Sequence, residues 1–202
     1  MDLSLEYYPT PDGFSHYLAW EMDQHDVIVT GDAYEPMVGD GAIVRAFPEL
    51  QWRTNDLDPR WPATTHLDAT RLEAWEPCDW VITNPANTCA FAAVDLALRF
   101  ARVGVIMHLR ASVHEVLRTG SRRTWFRDHR PTGILWLPRF AYQRSKSTGK
   151  WTTDSVCACW VIWLNNYPGQ FIDYAPEWVI DELDAETPNY RRRMDAAMES
   201  PQ

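Results

Sequence analysis

Along most of the chain, short apolar runs alternate with stretches whose apolar positions recur at helical spacing. Asp32–Glu35 reads as a short strand, and the turn Val38-Gly39-Asp40-Gly41 leads from it to a helix beginning near Ala42. Gln51–Asp56 reads as a second strand and Trp80–Thr83 as a buried one ending at Asn84-Pro85. Residues 88–102 carry a helical pattern, with Thr88 available as its cap. Val103–Leu109 is continuously apolar, as expected of a central strand. Gly133–Leu137 and Val156–Leu164 predict two more strands, paired antiparallel across a long polar and basic loop. Strands alternating with helices imply an α/β fold with a mostly parallel sheet. Residues 168–202 contain proline and many acids. A helix is expected near Tyr190–Met198, in a peripheral tail. The expected organisation is one functional domain over residues 1–166 and an acidic extension over 167–202.

Composition changes this picture little. A chain of 202 residues suits one well-buried core, and no run approaches the roughly 18 apolar residues of a membrane span. The first residues, MDLSLEYYPTPDGF, lack the charged lead and apolar stretch of a signal peptide, so a cytoplasmic location is expected. Cys78, Cys89, Cys157 and Cys159 read as buried thiols rather than as zinc ligands or disulfides. None of the six histidines has metal-ligand spacing. Each reads as a surface or capped residue, and no metal is expected.

Charge changes it more. The net charge is −9, yet twelve of the nineteen Lys and Arg lie between Arg99 and Lys150, beside only two acids, Glu115 and Asp128. An acidic body with a basic middle is the asymmetry expected where one face meets a polyanion, although solvated helix faces would also account for it. Arg122 and Arg123 belong to a cluster able to bind phosphates. The run Arg191–Arg193 is too short to interpret.

Three candidate ligand turns follow one another. Glycines 39 and 41, between a strand and a helix, let a ligand approach the backbone, as they would also serve a plain tight turn. Asp56, at the end of the next strand, can accept both hydroxyls of a ribose. Asp68, on the following loop, can accept the amino group of an adenine ring. Asn84-Pro85-Ala86-Asn87 then closes the buried strand. An exocyclic amine on a purine is a poor nucleophile. The Asn84 side-chain oxygen and the Pro85 carbonyl can accept its two N–H bonds, turning the lone pair outward and stabilising the positive charge that grows.

Taken in order, E-P-x-x-G-D-G, N-D-L-D-P, L-D-A and D-W-V-I-T-N-P resemble the motif set of class I S-adenosylmethionine-dependent amino-methyltransferases, in particular phage and bacterial DNA N6-adenine methyltransferases. Tyr7-Tyr8-Pro9-Thr10-Pro11 resembles the extra motif that precedes the first strand in many of them. The resemblance runs from about Tyr7 to Leu164. It implies a Rossmann-like class I methyltransferase fold with a C-terminal antiparallel strand pair, and S-adenosylmethionine as cofactor. That cofactor would be held by Tyr8, Thr10, Glu35, Pro36, Gly39, Gly41, Asp56, Leu57, Asp68, Ala69 and Asn84. Asn84, Pro85 and Asn87 would form the reactive centre, and methyl transfer to adenine N6 in DNA is the implied activity.

The family pattern continues after Asn-Pro with Pro and an aromatic that stacks on the extruded base. Here those positions are Ala86 and Asn87. Stacking is worth about 1–3 kcal/mol per base, so three outcomes stay open. Phe140, Tyr142 or Trp151 supplies the platform; or the acceptor is not a duplex base; or catalysis is impaired. Asn87, Arg122, Arg123, Phe140 and Tyr142 are the expected substrate contacts. The alternatives to DNA are RNA, a protein amide, a small molecule, or a cofactor-binding protein without transferase activity. Cys78 follows Pro77 but precedes the strand, at the wrong end for covalent attack on a cytosine.

Overall fold

The computed structural model describes residues 8–114, 125–142, 148–151 and 157–199. Its centre is a seven-stranded sheet in the order β2-β1-β3-β4-β6-β5-β7. The strands are β1 (Asp32–Glu35), β2 (Gln51–Thr54), β3 (Cys78–Thr83), β4 (Ala101–Arg110), β5 (Gly133–Trp136), β6 (Ala158–Leu164) and β7 (Phe171–Tyr174). β6 runs antiparallel to both neighbours, β4 and β5, while every other pairing is parallel.

Both sheet faces are buried, and period-2 alternation divides the core. Trp80, Ile82, Ile106, Trp160 and Ile162 pack toward one side, and Val81, Val105, Met107, Cys159 and Val161 toward the other. The first side is covered by α1 (Asp12–Gln24), α2 (Ala42–Ala46) and α5 (Glu177–Glu199); the second by α3 (Ala90–Phe100), with the short α4 (Trp125–Asp128) near its edge. Gly104 is required where β4 passes the Trp80 ring, because a Cβ there would lie 2.5 Å from it.

The chain differs from the expected elements in four places. α1 has no counterpart in the apolar pattern, since its buried face includes Ser15 and Glu21 beside Phe14, Tyr17, Leu18 and Met22. It also has no local side-chain cap: the Glu186 carboxylate of α5 accepts the Asp12 and Gly13 N–H groups, at 2.9 and 3.1 Å. α3 begins after Cys89, so Thr88 is not its cap residue. Within residues 167–202, expected as a peripheral extension, Phe171–Tyr174 form an edge strand of the sheet. α5 begins at Glu177 and buries Val179, Leu183, Tyr190 and Met194. Among the described residues no helix is long and apolar enough to cross a membrane.

Candidate active site

The sheet order reverses beside β1, whose neighbours β2 and β3 each return to it through a crossover. The C-terminal ends of these parallel strands frame the crevice in which open α/β sheets bind ligands. A cavity of about 460 Å³ lies there, well within the size of small-molecule sites.

Its first wall is the loop after β1. Gly39 and Gly41 both have positive φ, at 49° and 80°, and Gly41 starts α2 in the left-handed conformation. This loop is tied to the end of β2 by Asn55, which is fully buried. Asn55 Nδ2 donates to the Pro36 and Leu67 carbonyls, each at 2.9 Å. Its Oδ1 accepts from the Leu67 N–H at 2.9 Å and the Thr65 hydroxyl at 2.8 Å. One side chain thus holds three ligand loops in register. The adjacent Asp56 joins two of them, accepting the Gly39 N–H at 2.8 Å and the Asp58 N–H at 2.9 Å. Burial raises its pKa, and these two N–H bonds oppose the shift. Asp68 accepts both the N–H and the hydroxyl of Thr70, which lower its pKa and fix the carboxylate at the cavity edge.

Beneath the glycine loop, Glu35 is buried, and desolvation pushes its carboxyl up to about 8 against the opposing bond from the Met37 N–H. Behind Asp40, Arg193 of α5 donates to the aspartate at 2.6 Å and also reaches Glu186. Arg193 of the basic run at 191–193 therefore braces the glycine loop.

At the far wall, the β3–β4 register pairs Thr83 with Met107 and so brings Asn84 beside His108. Asn84 Nδ2 donates to the Tyr8 carbonyl at 2.8 Å and to Thr10 Oγ1 at 3.1 Å; its Oδ1 lies 3.1 Å from His108 Nδ1. Past Asn84 a second, smaller pocket of about 30 Å³ opens, lined by Tyr8, Asn84, Asn87, His108, Arg110 and Tyr142 together with Ala158. Tyr8 and Asn84 border both spaces.

Of the residues singled out in the sequence, Tyr8, Thr10, Pro36, Gly39, Asp56, Leu57, Asp68, Ala69 and Asn84 line the large cavity. Glu35, Gly41 and Pro85 line neither space: Gly41 shapes the start of α2, and Glu35 and Pro85 are buried beside the site. Asn87 and Tyr142 line the second pocket, whereas Phe140 packs against Phe14, Tyr142 and Tyr190 inside the core. Arg122 and Arg123 lie outside the described residues. Arg102 sits at the opposite end of the sheet, paired with Asp79 and Asp32, so among the described residues the basic segment does not gather on one face.

Several residues escaped the sequence reading, Asp40 and Asp58 of the cavity lining among them. Asn55 and Arg193 act through partners distant in the chain, and His108, expected at the surface or capped, is buried next to Asn84. Cys78 and Cys159 are buried thiols with raised pKa, but Cys89 and Cys157 are only partly covered. Among the described residues, Glu21, His25 and Asp173 bring possible metal-ligating atoms within 4.8 Å of one another, and His25 Nε2 meets Asp173 directly at 2.8 Å.

No protein-family model and no curated protein matches this sequence. Solved structures do match in fold. A presumed class I S-adenosylmethionine-dependent methyltransferase from Listeria monocytogenes superimposes with a TM-score of 0.57 at 12% identity, covering 90% of this chain and 71% of that one. The methyltransferase subunit of a type I restriction-modification system from Streptococcus thermophilus gives 0.55 at 12% identity. It covers 91% of this chain, which spans about half (53%) of that subunit. A presumed RNA methyltransferase from Pyrococcus horikoshii gives 0.55 at 14% identity, with 82% and 90% covered. The fold is the Rossmann-like fold of class I methyltransferases.

Proposed function

We propose that this protein transfers a methyl group from S-adenosylmethionine to an exocyclic amino group, with adenine N6 in DNA as the leading acceptor. Support for the cofactor comes from the lining of the large cavity. Asp40, Asp56, Asp58 and Asp68 border it, and no Lys, Arg or His does among the described residues. Such a lining disfavours phosphate-bearing cofactors and favours one that carries an ammonium, a sulfonium and hydroxyls. When bound, the cofactor supplies an electrophilic methyl group.

The observation that carries the transfer reading is Asn84, which borders both this cavity and the second pocket. Its Oδ1 has one lone pair engaged by His108 and one for an incoming N–H; the Pro85 carbonyl is assigned the second N–H. Holding both N–H bonds orients the amine lone pair toward the large cavity and stabilises the charge it gains. The extra proton leaves the methylated amine afterwards, so no general base is needed. An acceptor in DNA must be flipped from the stack, and the Tyr8 and Tyr142 rings, edge-to-face at 6.4 Å, offer it an aromatic wall. Arg110 at the same pocket suits a polyanionic substrate.

A second reading, the same chemistry on a smaller amine, draws on two observations. The second pocket has room for little more than a water in this conformation, and its exposed side is the polar Asn87 rather than an aromatic.

Calorimetry with S-adenosylmethionine and mass spectrometry of nucleosides from cells expressing the protein test both parts. Binding is expected, weakened by Asp56→Ala by about 1.5–3 kcal/mol, together with a new N6-methyl-2′-deoxyadenosine signal that Asn84→Ala abolishes. No cofactor binding by the unaltered protein would sink the whole reading. Binding without a nucleoside product would move the acceptor to the smaller amine.

A further inference from the structure

We propose that His108 is a positioning residue that locks the Asn84 amide with its oxygen as the acceptor; this rests on the reading that Asn84 receives an amine. The hydrogen-bond assignments follow one from another. The Tyr8 carbonyl can only accept, so the atom of Asn84 facing it at 2.8 Å must be the amide nitrogen. Oδ1 then faces His108 Nδ1, which must carry the imidazole proton. His108 Nε2 is left as an acceptor, and the Tyr142 hydroxyl stands 3.3 Å away to donate.

The surroundings permit no other charge state. The His108 ring stacks on Phe14 with centroids 5.9 Å apart and meets Trp160 edge-on at 5.1 Å. Tyr8, Tyr142 and Arg110 are the other titratable side chains lining its pocket, and among the described residues no carboxylate lines it. Burial lowers the His108 pKa to about 3, so the ring is neutral and offers one N–H in a fixed direction.

The lock closes on itself through α5. The Tyr190 hydroxyl lies 3.2 Å from the Pro9 carbonyl and 3.3 Å from that of Tyr142. Pro9 sits between the two residues that hold Asn84 Nδ2, and Tyr142 backs His108. A flipped Asn84 amide would set N–H against N–H at His108 and oxygen against oxygen at Tyr8. It would also present donors to an amine that needs an acceptor. His108 therefore acts on turnover through Asn84, without touching the cofactor cavity, which it does not line.

Three variants separate positioning from packing. In His108→Asn the amide nitrogen can stand near Nδ1; in His108→Gln it stands nearer Nε2; His108→Leu keeps bulk alone. Expected are a loss in kcat of about tenfold or more for Leu and Gln, and recovery by Asn to within about threefold of the unaltered enzyme. Cofactor Kd should stay within about threefold throughout. Long-range proton–nitrogen NMR of the ring should show a neutral Nδ1–H form between pH 5 and 8.

An Nε2–H tautomer, a ring titrating near pH 6.5, or Asn performing no better than Leu would overturn the proposal. So would an active enzyme whose turnover ignores His108→Leu while Asn84→Ala abolishes it, leaving the reading of Asn84 intact. If the unaltered protein methylates no amine, both fall.

Discussion

Glu35 ends β1 and Asn84 follows the neighbouring β3; the first is buried and the second partly buried, and their polar atoms are satisfied differently. Asn84 has partners at both ends of its amide, whereas Glu35 has one oxygen, Oε2, with no hydrogen-bond partner. A buried group without a partner is costly, and the cost here is reduced by holding the proton. With its folded pKa at about 8, above the ordinary 4.5 of the unfolded chain, Glu35 stays protonated where the unfolded chain has ionised. Stability from this group is fully present below about pH 4.5 and declines as pH rises toward 8. Urea unfolding of the unaltered protein should therefore lose free energy between about pH 4.5 and 8, and Glu35→Gln should flatten that loss. Equal slopes in the two proteins would mean that Glu35 does not carry the effect.

At the level of elements, the site depends on helices that the apolar pattern shows poorly. α1 begins at the N-terminal motif beside the site, yet Glu186 of α5, more than 170 residues along, accepts its first N–H groups. α5 also supplies Arg193 to Asp40 and Tyr190 to the Pro9 carbonyl. A capping side chain is typically worth about 0.5–2 kcal/mol. Glu186→Ala should accordingly cost about 1–2 kcal/mol in chemical denaturation and raise amide exchange at the start of α1. Exchange confined to α5 would show that the cap is energetically idle. The strand predictions were better because β3, β4 and β6 are buried on both faces, and a continuous apolar run is visible without knowing its neighbours. α1 mixes Ser15 and Glu21 into its inner face, the Ser15 hydroxyl without a hydrogen-bond partner and Glu21 paired with His25 one turn on, so the apolar pattern alone could not reveal it.

Across the whole molecule, charge and fold give different information. The +10 segment between residues 99 and 150 is a property of the sequence, but its described members are spread over both ends of the sheet. Arg110 borders the second pocket, while Arg102 is consumed in ion pairs at the opposite end. If the protein meets nucleic acid, oligonucleotide affinity should fall steeply with salt. Arg122→Glu with Arg123→Glu should weaken it further and leave cofactor affinity unchanged. A flat salt response in filter binding would remove DNA and RNA as acceptors.

The sequence alone determined the α/β alternation, the glycine loop after β1, the acids that follow β2, and Asn84 at the end of β3. Each is a local signal, set by backbone conformation or by strand periodicity, and needs no distant partner. Tertiary structure decided what those signals work with. The β3–β4 register put His108 beside Asn84, Asn55 drew three loops together, and α5 closed over α1 and Asp40. These depend on which buried polar groups find one another when the sheet assembles. A polar side chain in a sequence carries no mark of the partner that will satisfy it.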